Sequence, residues 1–329
     1  MKGIEEFDLE KALSASGSKQ NGYLKVAIKP DGSWVCIPVM AVCGKEEGPV
    51  LLVDGCHHGN EYEGAEGIIR VARELDPVEL KGTFIGVPAL NLDAFAIGER
   101  VSPIDFSHMD LNRAYPGKSD SFITSHIAKT YMDNFVKRAD YLISFHGGGN
   151  YLYLESLVAY QPPADEIGRI SQKMAKAFGV EVLWRLQDLP FGGVLLQEVQ
   201  KVGVSAITPE IGGQCVRHPD RWKYVEVCST GIKNVMKSVG MLEGSLTQVG
   251  NQIDVKLVYI HSQAGGIHVP IKLPKEMVRK GEVLAKVTDV FGETVGEIKA
   301  PFDGVVIGYW SYPVIQPGNW SYLFGELLK

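Results

Sequence analysis

The sequence predicts an α/β protein: a sheet covered by helices on both faces, followed by a smaller all-β region. Three observations carry that expectation. Apolar runs of strand length alternate with segments of helical periodicity from about Tyr23 to Leu242. Beyond Leu242 the texture changes to short β runs punctuated by Gly and Pro. A chain of 329 residues is also long enough for one large core and a smaller second unit. The expected division is residues 1–242 and 243–329.

Each element follows from its own pattern. YLKVAIKP, a DGS turn and WVCIPVMAV read as β structure, and GPVLLVDG as a buried strand, because its apolar residues are continuous rather than alternating. GAEGIIRVARELD has helical periodicity and GTFIGVPAL is a second buried strand. SHIAKTYMDNFVKRAD is an amphipathic helix leading into the strand YLISF. EIGRISQKMAKAFG is a helix, GVSAITPEIGG a strand ending in a loop, and YVEVCSTGIKNVMKSVGML a long helix. In such a sheet, ligand sites lie at the carboxyl ends of the strands.

Composition removes several classes of function. Hydrophobic residues make up 45% and charged residues 22%, which is ordinary globular usage. The net charge is −6 and no Lys/Arg run could neutralise a row of phosphates, so nucleic acid is not an expected partner. A small polar molecule fits better. MKGIEEFDLEKAL lacks the apolar stretch of a secretory signal, and no run approaches the roughly 20 apolar residues of a bilayer crossing. The five cysteines, Cys36, Cys43, Cys56, Cys215 and Cys228, are odd in number and show no CxxC spacing, so a reducing, cytoplasmic setting is expected. Homo-oligomerisation is left open.

The segment VDGCHHGNEYEG joins a buried strand to a helix, and within it His58 and Glu61 stand three residues apart. One helical turn would put imidazole and carboxylate on the same side. Alone the pair is a weak signal, since such spacings arise by chance at solvated helix starts. YLISFHGGG runs a second buried strand into His146, and the glycines 147 to 149 would allow close approach to a bound group. Two histidines and one carboxylate suit Zn²⁺, one ion per chain, and leave a position open for water. His57 competes with His58, but its spacing to Glu61 is one residue longer. Glu210, at the end of the GVSAITPE strand, is the candidate base. Arg100 and the Asn112-Arg113 pair are candidates for holding a developing oxyanion and a substrate carboxylate.

HGNExxG, DLNRAYPG, a strand-end His and TPEIGG occur here in one order, and together they resemble the succinylglutamate desuccinylase/aspartoacylase family of the zinc carboxypeptidase superfamily. The resemblance covers nearly the whole chain. It implies a zinc-carboxypeptidase-like mixed sheet flanked by helices, with His58, Glu61 and His146 as zinc ligands and Glu210 as general acid/base. Arg100 resembles the arginine that polarises the scissile carbonyl, and Asn112 and Arg113 the pair that grips a substrate carboxylate. The implied reaction removes an acyl group from a small N-acyl amino acid or related amide. Ser144 departs from the pattern, since many members carry Asp two residues before the last His. GVPALNLDAF and IPVMAVCGKEEGP look closest to the subgroup of deacetylases acting on N-acetylated diamino acids. Rival readings are a carboxypeptidase acting on short peptides, which would share every motif, and a catalytically inactive metal-binding protein.

The C-terminal punctuation, with GG, VRKGE, FGE and PFDG, resembles the barrel-sandwich fold of biotinyl and lipoyl carriers. Carriers place a modifiable Lys at a hairpin tip, whereas the turn here is Asp289-Val290-Phe291-Gly292-Glu293. The region is therefore expected to be structural or to shape the active site rather than to act as an acyl carrier.

Overall fold

The computed structural model describes residues 7–187, 192–214, 221–247 and 249–328. The first six residues of the N-terminal segment and Cys215 lie outside the described residues. The remaining four cysteines are free thiols. No helix among the described residues is long and apolar enough to cross a membrane.

Helix α1 (Leu9–Ser14) precedes β1 (Ser18–Ile28), β2 (Trp34–Cys43) and β3 (Glu46–Asp54). Then come α2 (Glu63–Glu74), β4 (Lys81–Val87), α3 (Leu92–Ile97), α4 (Ile123–Asn134) and β5 (Tyr141–Ser144). The next are β6 (Leu152–Leu154), β7 (Leu157–Tyr160), α5 (Glu166–Phe178), β8 (Val182–Arg185), α6 (Leu195–Lys201), β9 (Ser205–Glu210) and α7 (Arg221–Ser238). The C-terminal strands are β10 (Ile253–His261), β11 (Gly266–Pro270), β12 (Met277–Val278), β13 (Val283–Thr288), β14 (Thr294–Lys299), β15 (Gly304–Trp310), β16 (Val314–Ile315) and β17 (Trp320–Leu327).

The large sheet is mixed, in the order β1-β2-β4-β3-β5-β9-β7-β8-β10-β17-β15-β12, with β6 attached to β15. β4, β3, β5 and β9 run parallel to one another, while β1–β2, β2–β4 and β7–β9 are antiparallel pairs. The strands read as continuous apolar runs because both faces are covered. Leu52, Leu142 and Ala206 enter one core with Ile127, Tyr131 and Val199, and the adjoining Leu51, Val53, Ile143 and Ile207 enter the other with Ile68, Met174 and Ile232. Each fully buried Leu or Ile contributes about 1.5–3 kcal/mol at the upper bound. α2, α5 and α7 pack together on the second face.

The sheet continues past residue 242, since β10 pairs in parallel with β8 at Ile253 to Val255. A second sheet, β14-β13-β11-β16, lies against it. Leu284, Val287, Ile298 and Ile315 from the small sheet share a core with Val306, Tyr322 and Phe324 from the large one, so the C-terminal region is a sandwich. At the β13–β14 tip, Asp289 Oδ1 accepts hydrogen bonds from Phe291 N and Glu293 N, each at 2.9 Å.

Candidate active site

Strand order places the site. β3, β5 and β9 are neighbours; the loops leaving the carboxyl ends of β3 and β5 carry His58 and Glu61 and then His146, and Glu210 is the last residue of β9. The His146 amide donates to Pro209 O at 2.9 Å and Ile211 N donates to His146 O at 2.9 Å, which extends the β5–β9 pairing and sets Glu210 beside His146. α2 begins at Glu63, so a helix does not align His58 and Glu61 as the spacing suggested. A turn does, with Glu61 N donating to His58 O at 3.1 Å. That turn needs Gly59, where a Cβ would lie 2.1 Å from the Ala94 carbonyl carbon.

Three buried side chains converge. His58 Nδ1 lies 2.7 Å from Glu61 Oε1, His146 Nδ1 lies 3.0 Å from Glu61 Oε2, and the two Nδ1 atoms are 3.2 Å apart. Zinc with bonds of about 2.0–2.1 Å and tetrahedral angles separates its ligand atoms by about 3.3 Å. The donors fit that ion in type and in spacing. The other face of His58 is held by Asp110, whose Oδ1 is 3.0 Å from Nε2. Such a carboxylate fixes a ligand ring's orientation and tautomer.

The ionisation pattern is divided. Burial pushes the Glu61 carboxyl up, but the charge of His58 and hydrogen bonds with both histidines outweigh it and hold the carboxyl well below its usual range. Asp110 is likewise depressed: burial is overcome by its hydrogen bond with and attraction to His58 and by Arg100. Burial takes His146 down to about 4 against the pull of Glu61. Glu210 goes the other way: burial and then the negative charge of Glu61 push it up to about 8, with His58 and Arg100 opposing. Two carboxyl groups at one site are thus driven apart, Glu61 down and Glu210 up.

Arg100 donates to Asp110 Oδ2 from Nε at 3.1 Å and Nη2 at 2.8 Å, and its Nη1 is 3.5 Å from Glu61 Oε1. Asn112 N donates to Asp110 Oδ1 at 2.8 Å, and Asn112 Oδ1 accepts from Leu195 N at 2.9 Å. Arg113 Nη1 donates to Asn112 O at 2.6 Å. All seven sequence-predicted site residues line one cavity of about 550 Å³. The glycine run after His146 works differently from expectation. A Cβ at Gly147 would meet Ile211 O at 2.4 Å and one at Gly148 Leu152 O at 2.2 Å, so the space is taken by the protein's own backbone.

Two groups were missed. Asp110 sits inside the DLNRAYPG motif, and its carboxyl group two residues before Asn112 was the available signal. Tyr259 reaches the same cavity from β10, and its hydroxyl is held protonated by burial and by Glu210. No local pattern marks it. His57 is engaged elsewhere: Nδ1 is 2.8 Å from Asp54 Oδ1 and Nε2 is 2.5 Å from the Tyr115 hydroxyl. Ser144 donates to the same Asp54 Oδ1 at 3.0 Å, so a carboxyl group is supplied to this layer from β3 instead of from position 144.

Relatives of known identity say which class of protein this fold and site belong to, that of hydrolases acting on amides. The sequence matches the succinylglutamate desuccinylase/aspartoacylase catalytic domain over residues 47–239. The N-alpha-acetyl-L-2,4-diaminobutyric acid deacetylase of Halomonas elongata is 31% identical over 299 residues, spanning 87% of this chain and 85% of that protein. The product-bound ectoine utilization protein EutE (DoeB) of Ruegeria pomeroyi superposes with a TM-score of 0.87 at 26% identity, over 95% of this chain and 96% of that one. A succinylglutamate desuccinylase from Silicibacter sp. TM1040 gives 0.86 at 25% identity, over 96% and 97% of the two chains. The chain belongs to the succinylglutamate desuccinylase/aspartoacylase family.

Proposed function

We propose that this protein is a zinc-dependent amidohydrolase that removes the acyl group from a small N-acyl amino acid in the cytoplasm. The carrying observation is that His58 Nδ1, His146 Nδ1 and Glu61 lie within 2.7–3.2 Å of one another on the cavity that Glu210 and Arg100 also line. His58, Glu61 and His146 would hold one zinc ion, which supplies Lewis acidity toward the amide carbonyl and toward water.

The chain's own residues then do the rest. Glu210, a carboxyl group on the cavity wall, takes the proton of the attacking water and delivers it to the leaving nitrogen. Arg100 faces the negative charge that grows on the carbonyl oxygen, and Asp110 holds Arg100 and His58 in place. Asn112 and Arg113 hold the substrate carboxylate. Tyr259, Trp310 and Trp320 line the cavity from the C-terminal segment 243–329, which we assign a shaping role. That wall favours a small acylated amino acid over a peptide.

The test is a panel of N-acyl amino acids and dipeptides, run with wild type and Glu210→Gln, with and without chelator. Wild type should release free amino acid and stop on chelation. Glu210→Gln should retain zinc and lose about 10²–10⁴-fold in turnover. Near-wild-type activity of that variant would remove Glu210 as the proton carrier.

A further inference from the structure

We propose that the C-terminal sandwich positions His146 and Glu210 from outside the site, through the pairing of β15 with β6, and that Gly308 is the positioning residue on which this pairing depends. The proposal goes beyond the shaping role given to the sandwich above, and it rests on the reading of His146 as ligand and Glu210 as proton carrier.

The segment from His146 to Leu157 touches the site at both ends. It leaves β5 at His146 and rejoins the large sheet at Leu157, the cross-strand partner of Glu210. Between these ends, Gly147 N donates to Glu61 Oε2 at 3.2 Å and Gly148 N donates to Gly212 O at 3.1 Å. The Leu152 carbonyl, the first of β6, lies against the loops that follow both residues. A Cβ at Gly148 would be 2.2 Å from that oxygen, and one at Gly213 would be 2.0 Å from it. Any displacement of Leu152 therefore reaches the His146 and Glu210 loops by direct contact.

Little within the segment holds it in place. Three consecutive glycines follow His146, and glycine backbone loses the most freedom on ordering. β6 has only three residues, and among the described residues it pairs with β15 alone. Its anchors come from the sandwich. Leu154 stands opposite Gly308 and Leu152 opposite Trp310. Glu155 N donates to Ile307 O at 2.8 Å, and Ser311 donates to Tyr151 O from N at 2.8 Å and from Oγ at 2.9 Å. The Tyr151 and Trp310 rings stack with centroids 5.2 Å apart and planes 4° apart. Leu152 and Leu154 share a core with Val305 and Ile307 of β15.

Gly308 is where this contact is tightest. A Cβ there would lie 2.5 Å from Leu154 Cδ2 and 2.6 Å from Tyr153 O. The leucine can rotate away, but the carbonyl is backbone, so a side chain at 308 must push β6 off β15. Tyr151 and Trp310 line the cavity and can touch a substrate, whereas Gly308 is not on the wall formed by the described residues. Its substitution therefore reports position rather than contact.

The test compares full-length wild type, Gly308→Val and the milder Ser311→Ala. Hydrogen exchange of segments 147–152 and 211–214 is followed in the zinc-free proteins, zinc affinity by competition with a chromogenic chelator, and kcat and KM with an N-acyl amino acid. Gly308→Val should speed exchange in both segments about tenfold or more, weaken zinc about tenfold and lower kcat about 10–100-fold, with KM changed less than about threefold. Ser311→Ala should move the same quantities in the same direction by less, and it decides if Gly308→Val does not fold. A change confined to KM overturns the proposal, because the sandwich is then a wall and nothing more. Unchanged exchange, or faster exchange with zinc affinity and kcat unaltered, overturns it equally. Faster exchange with weaker zinc, in a protein whose wild type cleaves no acyl amino acid, supports the positioning and removes the hydrolase reading instead.

Discussion

His57 and His58 are neighbours in sequence and both are buried, yet they belong to polar clusters of opposite design. Around His57 the polar groups are paired within the protein: Nδ1 lies 2.8 Å from Asp54 Oδ1, Asp54 accepts from the Ser144 hydroxyl at 3.0 Å and the Tyr131 hydroxyl at 2.5 Å, and Nε2 meets the Tyr115 hydroxyl. Around His58 the like atoms face one another, with its Nδ1 only 3.2 Å from that of His146 and both turned to Glu61. The two clusters are one ring apart, as His57 stacks on His146 with centroids 5.2 Å apart. A closed network rigidifies a fold, whereas an arrangement of converging donors is completed by a cation. The first is the floor on which the second is positioned.

The largest expected effect breaks the open cluster. His146→Ala should lose bound zinc and with it essentially all turnover, measured by metal analysis and N-acyl amino acid hydrolysis, while thermal unfolding of the chelated proteins should differ little. A His146→Ala protein that kept stoichiometric zinc would remove the ligand assignment. Next, Asp110→Asn should weaken zinc binding about 10–100-fold, because it removes the carboxylate behind His58 and the partner of Arg100. Competition with a chromogenic chelator measures this, and an unchanged affinity would mean that the ring is oriented without Asp110.

The closed cluster should answer in the opposite currency. Tyr131→Phe deletes the hydroxyl that donates to Asp54 Oδ2 in a fully buried setting, which costs roughly 1–3 kcal/mol. The loss appears in urea unfolding, with zinc stoichiometry unchanged. Should Tyr131→Phe shed zinc without a change in stability, the division between floor and site would be wrong.

The same division explains what could be read in advance. His58, Glu61, His146 and Glu210 were legible because each lies at the end of a continuous apolar strand, and strand order in an α/β sheet brings such ends together. The parallel pairing of β8 with β10 joins residues about 70 apart, and no local signal announces that Leu257 and Tyr259 will complete the cavity. The short strands β6 to β8 and helix α6 carry too few residues for a period to emerge. The turn at His58 imitates helical spacing without being a helix, so His58 and Glu61 meet through a local geometry that differs from the expected one.

A fourth buried histidine tests the comparison most gently. His268, in β11 of the C-terminal sandwich, has no counter-charge among the described residues: Nε2 meets the Ser321 hydroxyl at 2.9 Å, and burial lowers its pKa against the smaller pull of a backbone hydrogen bond with Trp310. A lowered histidine pKa means that the unfolded chain binds its proton first. Above the unfolded value of about 6.5 the residue contributes no pH dependence, and stability falls as pH drops below it toward the folded value, by at most about 1.4 kcal/mol per pH unit. His58 has the reverse sign, because burial lowers its pKa but attraction to Glu61 and hydrogen bonds with Asp110 and Glu61 together outweigh it. Thermal melts of wild type and His268→Gln between pH 7.5 and 5 isolate the term, since the titrations of the active site cancel in the difference. The variant should lose less stability than wild type on acidification; a difference that stays flat, or that grows in wild type's favour, would mean that the sandwich accommodates a charged His268.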